Sequence, residues 1–254
     1  MSKDKSTTEA FAYLTPDHML DAIESLGLRC DGRFLALNSY ENRVYQVGIE
    51  DQPAMVAKFY RPQRWTDAAI LEEHEFTQAL AAHEIPVIPP DIDDQGRSLH
   101  HYGPYRFALY PCRGGRAPEL DNPEHLEQLG RFIARIHAEG ATKKFNHRPD
   151  LDIEGFAIMP REYLLKHDFI PAHLVDAYES LTADLIQQIQ QCFDRAGGIR
   201  NIRLHGDCHP GNILWTDDGP HIVDFDDART GPAIQDLWMF LSGDRSYMTA
   251  RLAD

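Results

Sequence analysis

The sequence predicts an α+β protein of two lobes, an antiparallel β-rich one followed by a mainly helical one, on three observations. Residues 34–110 carry short apolar runs parted by turn residues, with one helical stretch among them. From residue 123 onward apolar residues return at helical spacing over longer stretches. Between the two, Pro111-Cys112-Arg113-Gly114-Gly115-Arg116 gathers Pro and Gly where a flexible connection is expected. The lobes are accordingly residues 1–111 and residues 112–254.

Each element has a local reason. Thr15-Pro16-Asp17 opens a helix, with Thr as N-cap and Pro in the first turn; Met19, Leu20, Ile23 and Leu26 follow at helical spacing and Gly27 stops it. Val44–Val47 and Met55–Phe59 read as strands of a hairpin around a turn at Glu50-Asp51-Gln52-Pro53. Residues 66–83 return to helix, with Ile70, Leu71, Phe76 and Leu80 on the apolar side, and the prolines of Ile85-Pro86-Val87-Ile88-Pro89-Pro90 force the chain out of it. Two further strands fit Arg97–His101 and Tyr105–Tyr110, turning at Tyr102-Gly103-Pro104. Pro123–His137 places Leu126, Leu129, Phe132, Ile133 and Ile136 on one face, and Pro171–Ala196 is a long helical pattern ended by Gly197-Gly198. Short strands occupy 202–225, and Asp236–Leu241 is expected to begin another helix.

Composition narrows the function classes. Of 254 residues 43% are hydrophobic and 26% charged, as in ordinary globular proteins, which excludes a disordered or collagen-like chain. The formal charge of −15 gives no whole-chain footprint for nucleic-acid phosphate, so no nucleic-acid partner is expected. The longest apolar runs fall far below the roughly 20 residues of a membrane span, and the opening MSKDKSTTEAF has no secretory pattern. Four cysteines, Cys30, Cys112, Cys192 and Cys208, are widely spaced with no C-x-x-C pair. The expectation is a cytoplasmic protein, a monomer, without a membrane partner.

The chemistry concentrates in Leu204-His205-Gly206-Asp207-Cys208-His209-Pro210-Gly211-Asn212-Ile213-Leu214-Trp215, followed by Ile222-Val223-Asp224-Phe225-Asp226-Asp227. A His-x-Asp, an Asn five residues after that Asp, a short hairpin and a further Asp in an apolar setting reproduce the layout of phosphoryl transfer. One carboxylate must receive the proton of an acceptor hydroxyl, and a hard cation needs oxygen ligands. Asp207 is the candidate base; Asn212 and Asp224 are the candidate Mg²⁺ ligands. Lys58 lies in the apolar run Met55-Val56-Ala57-Lys58-Phe59, where a charge needs partners. Of Glu72, Glu73 and Glu75 in the next helix, Glu73 is placed to turn inward and pair with it. No G-x-G-x-x-G stands before Lys58; the polar loop Leu37-Asn38-Ser39-Tyr40-Glu41-Asn42 takes its place, and Ser39 could offer its hydroxyl and neighbouring N–H groups to phosphate oxygens.

LHGDCHPGNILW, IVDFDDA, Gly231-Pro232 and Asp236-Leu237-Trp238 together resemble the aminoglycoside phosphotransferase/choline kinase-like family, which has a protein-kinase-like fold. LNSYENRVYQV, VAKFYRP, ILEEHEF and GPAIQDLW extend the likeness, from about residue 15 to 243, toward a bacterial serine/threonine protein kinase of stress response in that family. The resemblance implies ATP and Mg²⁺ as cofactors, Asp207 as proton acceptor, Asn212 and Asp224 on the metal with Asp224 also counted as catalytic, Ser39, Lys58 and Glu73 around the nucleotide, and Tyr110 to Cys112 as the hinge meeting adenine. It implies a protein acceptor bearing Ser/Thr hydroxyls, the alternative being a small-molecule alcohol such as an amino alcohol, sugar or aminoglycoside. It also implies helices following the last residues present here, so the fold is expected in a C-terminally shortened form.

Asp226 stands where classical protein kinases have the Gly of Asp-Phe-Gly, and no Ala-Pro-Glu motif or long activation loop follows. Two other classes compete. Gly206-Asp207-Cys208-His209 has the form of a metallophosphoesterase motif but lacks further ligands at convincing spacing. A catalytically silent nucleotide-binding scaffold is disfavoured because every catalytic position holds a competent residue type.

Overall fold

The structure, a computed structural model, describes residues 10–253. The absence of a secretory pattern was read chiefly from residues 1–9, which, like Asp254, lie outside the described residues. The chain forms two compact units. One comprises residues up to 132 together with 210–226; the other comprises 133–209 and the residues from 227 onward.

In the first unit, helix α1 (Pro16–Glu24) starts as its sequence dictates: the Thr15 side chain accepts the His18 N–H at 3.2 Å, and Pro16 sits in the first turn. Strands β1 (Cys30–Ala36), β2 (Arg43–Ile49), β3 (Gln52–Tyr60), β4 (His100–Tyr102) and β5 (Tyr105–Pro111) form an antiparallel sheet in the order β1-β2-β3-β5-β4. Met19 and Ile23 of α1 pack with Val47, Phe59 and Phe107 in its main core. Helix α2 (Asp67–Ala82) is capped by Thr66, whose hydroxyl accepts the Ala69 N–H. Ile70, Phe76 and Leu80 are buried, while Leu71, expected on the apolar side, is exposed because it lies on the opposite flank of the helix.

Two turns differ from the sequence reading. The β2–β3 turn is tighter than Glu50–Pro53: β3 already begins at Gln52, and Asp51, the second of the two turn residues, takes φ +57°. Pro53 is tolerated because the β3–β5 pairing starts only at Met55. The strand expected at Arg97–His101 shifts to His100–Tyr102, taking in Tyr102 that was expected in the turn; its start moves because Arg97 is drawn into a turn with Asp93, its N–H and Nε donating to that carboxylate at 2.8 and 2.9 Å. The hairpin of β7 (Ile213–Thr216) and β8 (Gly219–Ile222) belongs to this unit and is tied in by bridges Val87–Ile222 and Arg116–Trp215.

Helix α3 (Pro123–Gly140) buries Leu129, Ile133 and Ile136 as its spacing requires. The second unit continues with α4 (Met159–Lys166), α5 (Val175–Ala196) and the antiparallel pair β6 (Asn201–Leu204) and β9 (Arg229–Pro232). Phe156, Met159, Tyr163, Phe169, Leu181 and Leu185 are exposed. The helix expected at Asp236–Leu241 is instead two 3₁₀ turns, Ala233–Asp236 and Trp238–Phe240, and the last helix, α6, spans Arg245–Ala253. The reason is that Asp236 is committed inward, 1% exposed, and a tight turn rather than a continuing helix delivers it there. Among the described residues no helix is long and apolar enough to cross a membrane.

Candidate active site

Strand alternation and a neighbouring helix assemble the first part of the site. Lys58, inside β3, is 5% exposed, and an ammonium there must be compensated. Its Nζ lies 2.9 Å from Asp224 Oδ1, 3.3 Å from Asp226 Oδ1 and 3.8 Å from Glu73 Oε1. Burial alone would lower the Lys58 pKa; the carboxylates of Asp224, Asp226 and Glu73 outweigh it and hold the ammonium well above its usual value. Glu73 is buried, as its inward turn required.

Lys58 and Glu73 face a cavity of about 380 Å³ within this unit, lined also by Asn38, Tyr110, Cys112, Asn212 and Asp224. Sequence-selected residues from five chain segments therefore converge on it. Ser39 is the exception: it lies in an exposed part of its loop, and its neighbours Leu37 and Asn38 supply the lining. Tyr110 points its phenol away from solvent, with its Oη 2.9 Å from that of Tyr60, which in turn lies 2.7 Å from His74 Nε2. Gly115 borders the same cavity, and a Cβ there would press on the backbone of Leu214.

Asp224 adopts φ +63°, a left-handed backbone that Asp tolerates, and its side chain is 54% exposed. The Val223 N–H donates to the Asn212 carbonyl at 3.0 Å, so the β7–β8 hairpin presents both residues at the cavity. An amide oxygen and an exposed carboxylate are hard donors and suit a hard divalent cation. Among the described residues no three His, Cys, Asp or Glu side chains form a metal-holding group by themselves. A cation here would complete its shell with phosphate oxygens and water, the habit of Mg²⁺ at phosphoryl-transfer sites.

The Asp207 loop lies in the second unit and is organised by the backbone. Gly206 has φ +87°, and a Cβ there would collide with the Asp227 carbonyl oxygen, so only glycine fits. Asp236 accepts the His205 N–H on Oδ2 and the Gly206 N–H on Oδ1, both at 2.9 Å, and His137 Nε2 lies 3.1 Å from its Oδ2. Gln235 donates to the Gly206 carbonyl at 3.1 Å. The buried His205 accepts the Asp207 N–H on Nδ1 at 3.3 Å, which leaves the Asp207 carboxylate half-exposed, 3.6 Å from His209 Nε2. Cys208 is buried, and burial holds its thiol pKa well up.

The anchoring role of Asp236 and the pairing of Asp226 with Lys58 were not assigned from sequence. A signal existed for both: an Asp beside Phe225, or preceding Leu237-Trp238, sits in an apolar setting that must bury it, and a buried carboxylate needs donors.

A lysine held among carboxylates at the wall of a sheet-bound cavity, together with a glycine-hinged His-x-Asp loop, defines a phosphotransferase of the protein-kinase-like fold. Residues 33–253 match the phosphotransferase enzyme family (APH); the chain belongs to that family and is an ATP-dependent kinase. It is 45% identical over 242 residues to stress response kinase A of Escherichia coli O157:H7, covering 95% of this chain and 73% of that protein. It is 42% identical to serine/threonine protein kinase RdoA of Salmonella typhimurium, with the same coverage. Among solved structures it is similar to an amicoumacin kinase in complex with AMP-PNP, Ca²⁺ and Ami (TM-score 0.74, 18% identity, 96% of this chain and 77% of that one). It is also similar to a microcompartment-associated aminopropanol kinase (TM-score 0.67, 21% identity, 84% and 69%). These two likenesses concern the fold.

Proposed function

We propose that the chain transfers the γ-phosphate of ATP, with Mg²⁺, to Ser/Thr hydroxyls of proteins in a stress response. The observation that carries the protein acceptor is 42% identity across 95% of the chain to a relative named as a serine/threonine protein kinase. We assign residues 1–111 as the nucleotide clamp and residues 112–254 as the lobe bearing the catalytic loop. A cytoplasmic monomer is part of the proposal; the four cysteines, all free thiols, suit a reducing compartment.

The geometry supports the following roles. Tyr110 to Cys112 offer backbone groups to adenine at the cavity, and the Ser39 loop covers the phosphates. Lys58, oriented by Glu73, brings a fixed positive charge to the phosphate oxygens, which costs little reorganisation because its partners already hold it. Asn212 and Asp224 would hold Mg²⁺, which when bound supplies further neutralisation of phosphate charge. The half-exposed carboxylate of Asp207 takes the proton of the acceptor hydroxyl while the hydroxyl oxygen bonds to the γ-phosphorus. The bond from that phosphorus to the β–γ bridging oxygen breaks, and ADP leaves. Asp236 keeps the Asp207 loop in place through the two N–H groups it accepts.

The test is transfer of label from γ-labelled ATP with Mg²⁺ to a generic basic protein and, separately, to a pool of amino alcohols and aminoglycosides. Label on protein, lost in Asp207→Ala, supports the reading. Label on small molecules only overturns the protein acceptor and leaves a metabolite kinase of the same fold.

A further inference from the structure

The Lys58 cluster does not end at Asp226. The two oxygens of Asp226 are divided between two cations: Oδ1 faces Lys58 and Oδ2 lies 3.3 Å from Arg64 Nη1. The same Arg64 nitrogen lies 3.3 Å from Glu41 Oε2, and Arg61 Nη1 reaches that oxygen at 2.7 Å. Charges thus alternate from Arg61 through Glu41, Arg64, Asp226 and Lys58 to Asp224. The turn just after β3 makes this possible. Gln63 adopts φ +67°, a left-handed backbone costly for a side-chain-bearing residue, and the resulting bend lets Arg61 and Arg64 share one carboxylate. Asn42, 4% exposed, reinforces the same junction by accepting the Arg61 N–H at 3.0 Å on its side-chain oxygen.

Glu41 and Asn42 belong to the loop between β1 and β2 whose Leu37 and Asn38 line the cavity. We propose that Arg64 is a positioning residue: with Glu41 and Asp226 it couples the 38–42 loop to Lys58, so that the loop and the ammonium are set in place together. This rests on the nucleotide reading of the cavity. Around the Lys58–Asp226 pair the series is dry, those side chains being 7% and 6% exposed, and toward the loop it is partly open, with Arg64 at 20% and Glu41 at 30%. Ion pairs at the dry end are sensitive to loss of one partner, whereas an exposed pair alone has little effect. Arg64 joins the two regimes. Without it, Lys58 would be the cation left facing Asp226 from this chain of charges, and the loop would lose its link to the cluster.

The test compares wild type with Glu41→Gln, Arg64→Ala, Arg64→Lys and Asp226→Asn, each checked for folding by thermal unfolding. Hydrogen exchange of residues 37–44 is followed without nucleotide, AMP-PNP binding by calorimetry, and kcat and KM for ATP by label transfer. Arg64→Ala and Glu41→Gln are expected to raise exchange in the loop about tenfold and to weaken AMP-PNP about tenfold. Glu41→Gln should act on KM with kcat within about twofold, whereas Arg64→Ala lowers kcat as well. Arg64→Lys should recover part of the affinity, since an ammonium can still sit between two carboxylates. Glu41 and Asp226 are joined through Arg64, so their effects in a double-mutant cycle should be non-additive. Unchanged loop exchange in folded Arg64→Ala, or strict additivity of Glu41 and Asp226, overturns the proposal. If Arg64→Ala fails to fold, the partly open Glu41→Gln decides in the same way. Wild-type protein that binds no AMP-PNP would overturn the nucleotide reading instead, and the exchange measurement would still decide the coupling.

Discussion

The Lys58 cluster and the Asp207 loop position their carboxylates by opposite means. Around Lys58 the carboxylates of Glu73, Asp224 and Asp226 are positioned by a buried cation, so side-chain charge orders side-chain charge. At Asp207 the carboxylate itself is half-exposed, and the ordering is done one step back, by backbone N–H groups bonded to Asp236 and by a glycine that no other residue can replace. The difference suits the roles proposed for them: a group meant to meet phosphate keeps its charge in a dry place, whereas a group meant to take a proton from an acceptor hydroxyl stays reachable.

The comparison can be broken most sharply at Asp207. Asp207→Ala should lower transfer about a thousandfold or more while AMP-PNP affinity, read by calorimetry, stays within about twofold; a matching loss of affinity would erase the division of labour. Lys58→Met should cut transfer about a hundredfold and also lower the unfolding midpoint, since three carboxylates lose their shared cation. The sign of its pH dependence follows from its raised pKa. The stability Lys58 contributes is fully present below the ordinary lysine value of 10.5 and is lost as pH rises from there through the higher folded value. Thermal unfolding between pH 10 and 12 should therefore show an alkaline decline in wild type that is reduced in Lys58→Met.

Asp236→Asn sharpens the other side. An amide offers one acceptor oxygen where the carboxylate serves two N–H groups, so about 2 kcal/mol of stability should go, with kcat falling and KM for ATP nearly unchanged. Equal changes in both constants would mean that Asp236 supports the whole site and not the Asp207 loop in particular. The smallest effect is expected at Thr66→Ala, which removes the cap of the helix bearing Glu73: about 1 kcal/mol of stability, seen as a lower unfolding midpoint, with kcat hardly altered.

Much of the site was legible because phosphoryl transfer needs definite residue types at definite spacing. Asp207, Asn212 and Asp224 stand out in the sequence for that reason, and Lys58 because an ammonium in an apolar strand demands partners. Asp226 and Arg64 were not legible as partners. Each is an ordinary charged residue in its own stretch, and only the folding of the turn after β3 against the segment following β8 brings them to 3.3 Å. The expected helix at Asp236–Leu241 failed for a related reason. Its apolar spacing is real, but the inward commitment of Asp236 overrides local preference.

The sequence by itself determined the local events: Thr15 and Thr66 capping their helices, a hairpin turn close to Asp51, and the antiparallel-then-helical order of elements. These depend on dihedral preferences and hydrogen bonds within a few residues, so the neighbouring side chains suffice to set them. Tertiary structure alone decided that Asp224 and Asp226 join Glu73 around Lys58, and that one Arg64 nitrogen joins the 38–42 loop to Asp226. Those choices depend on which surfaces become buried together, and a charge in a low-dielectric interior takes the partners that packing brings within about 4 Å, whatever their distance along the chain.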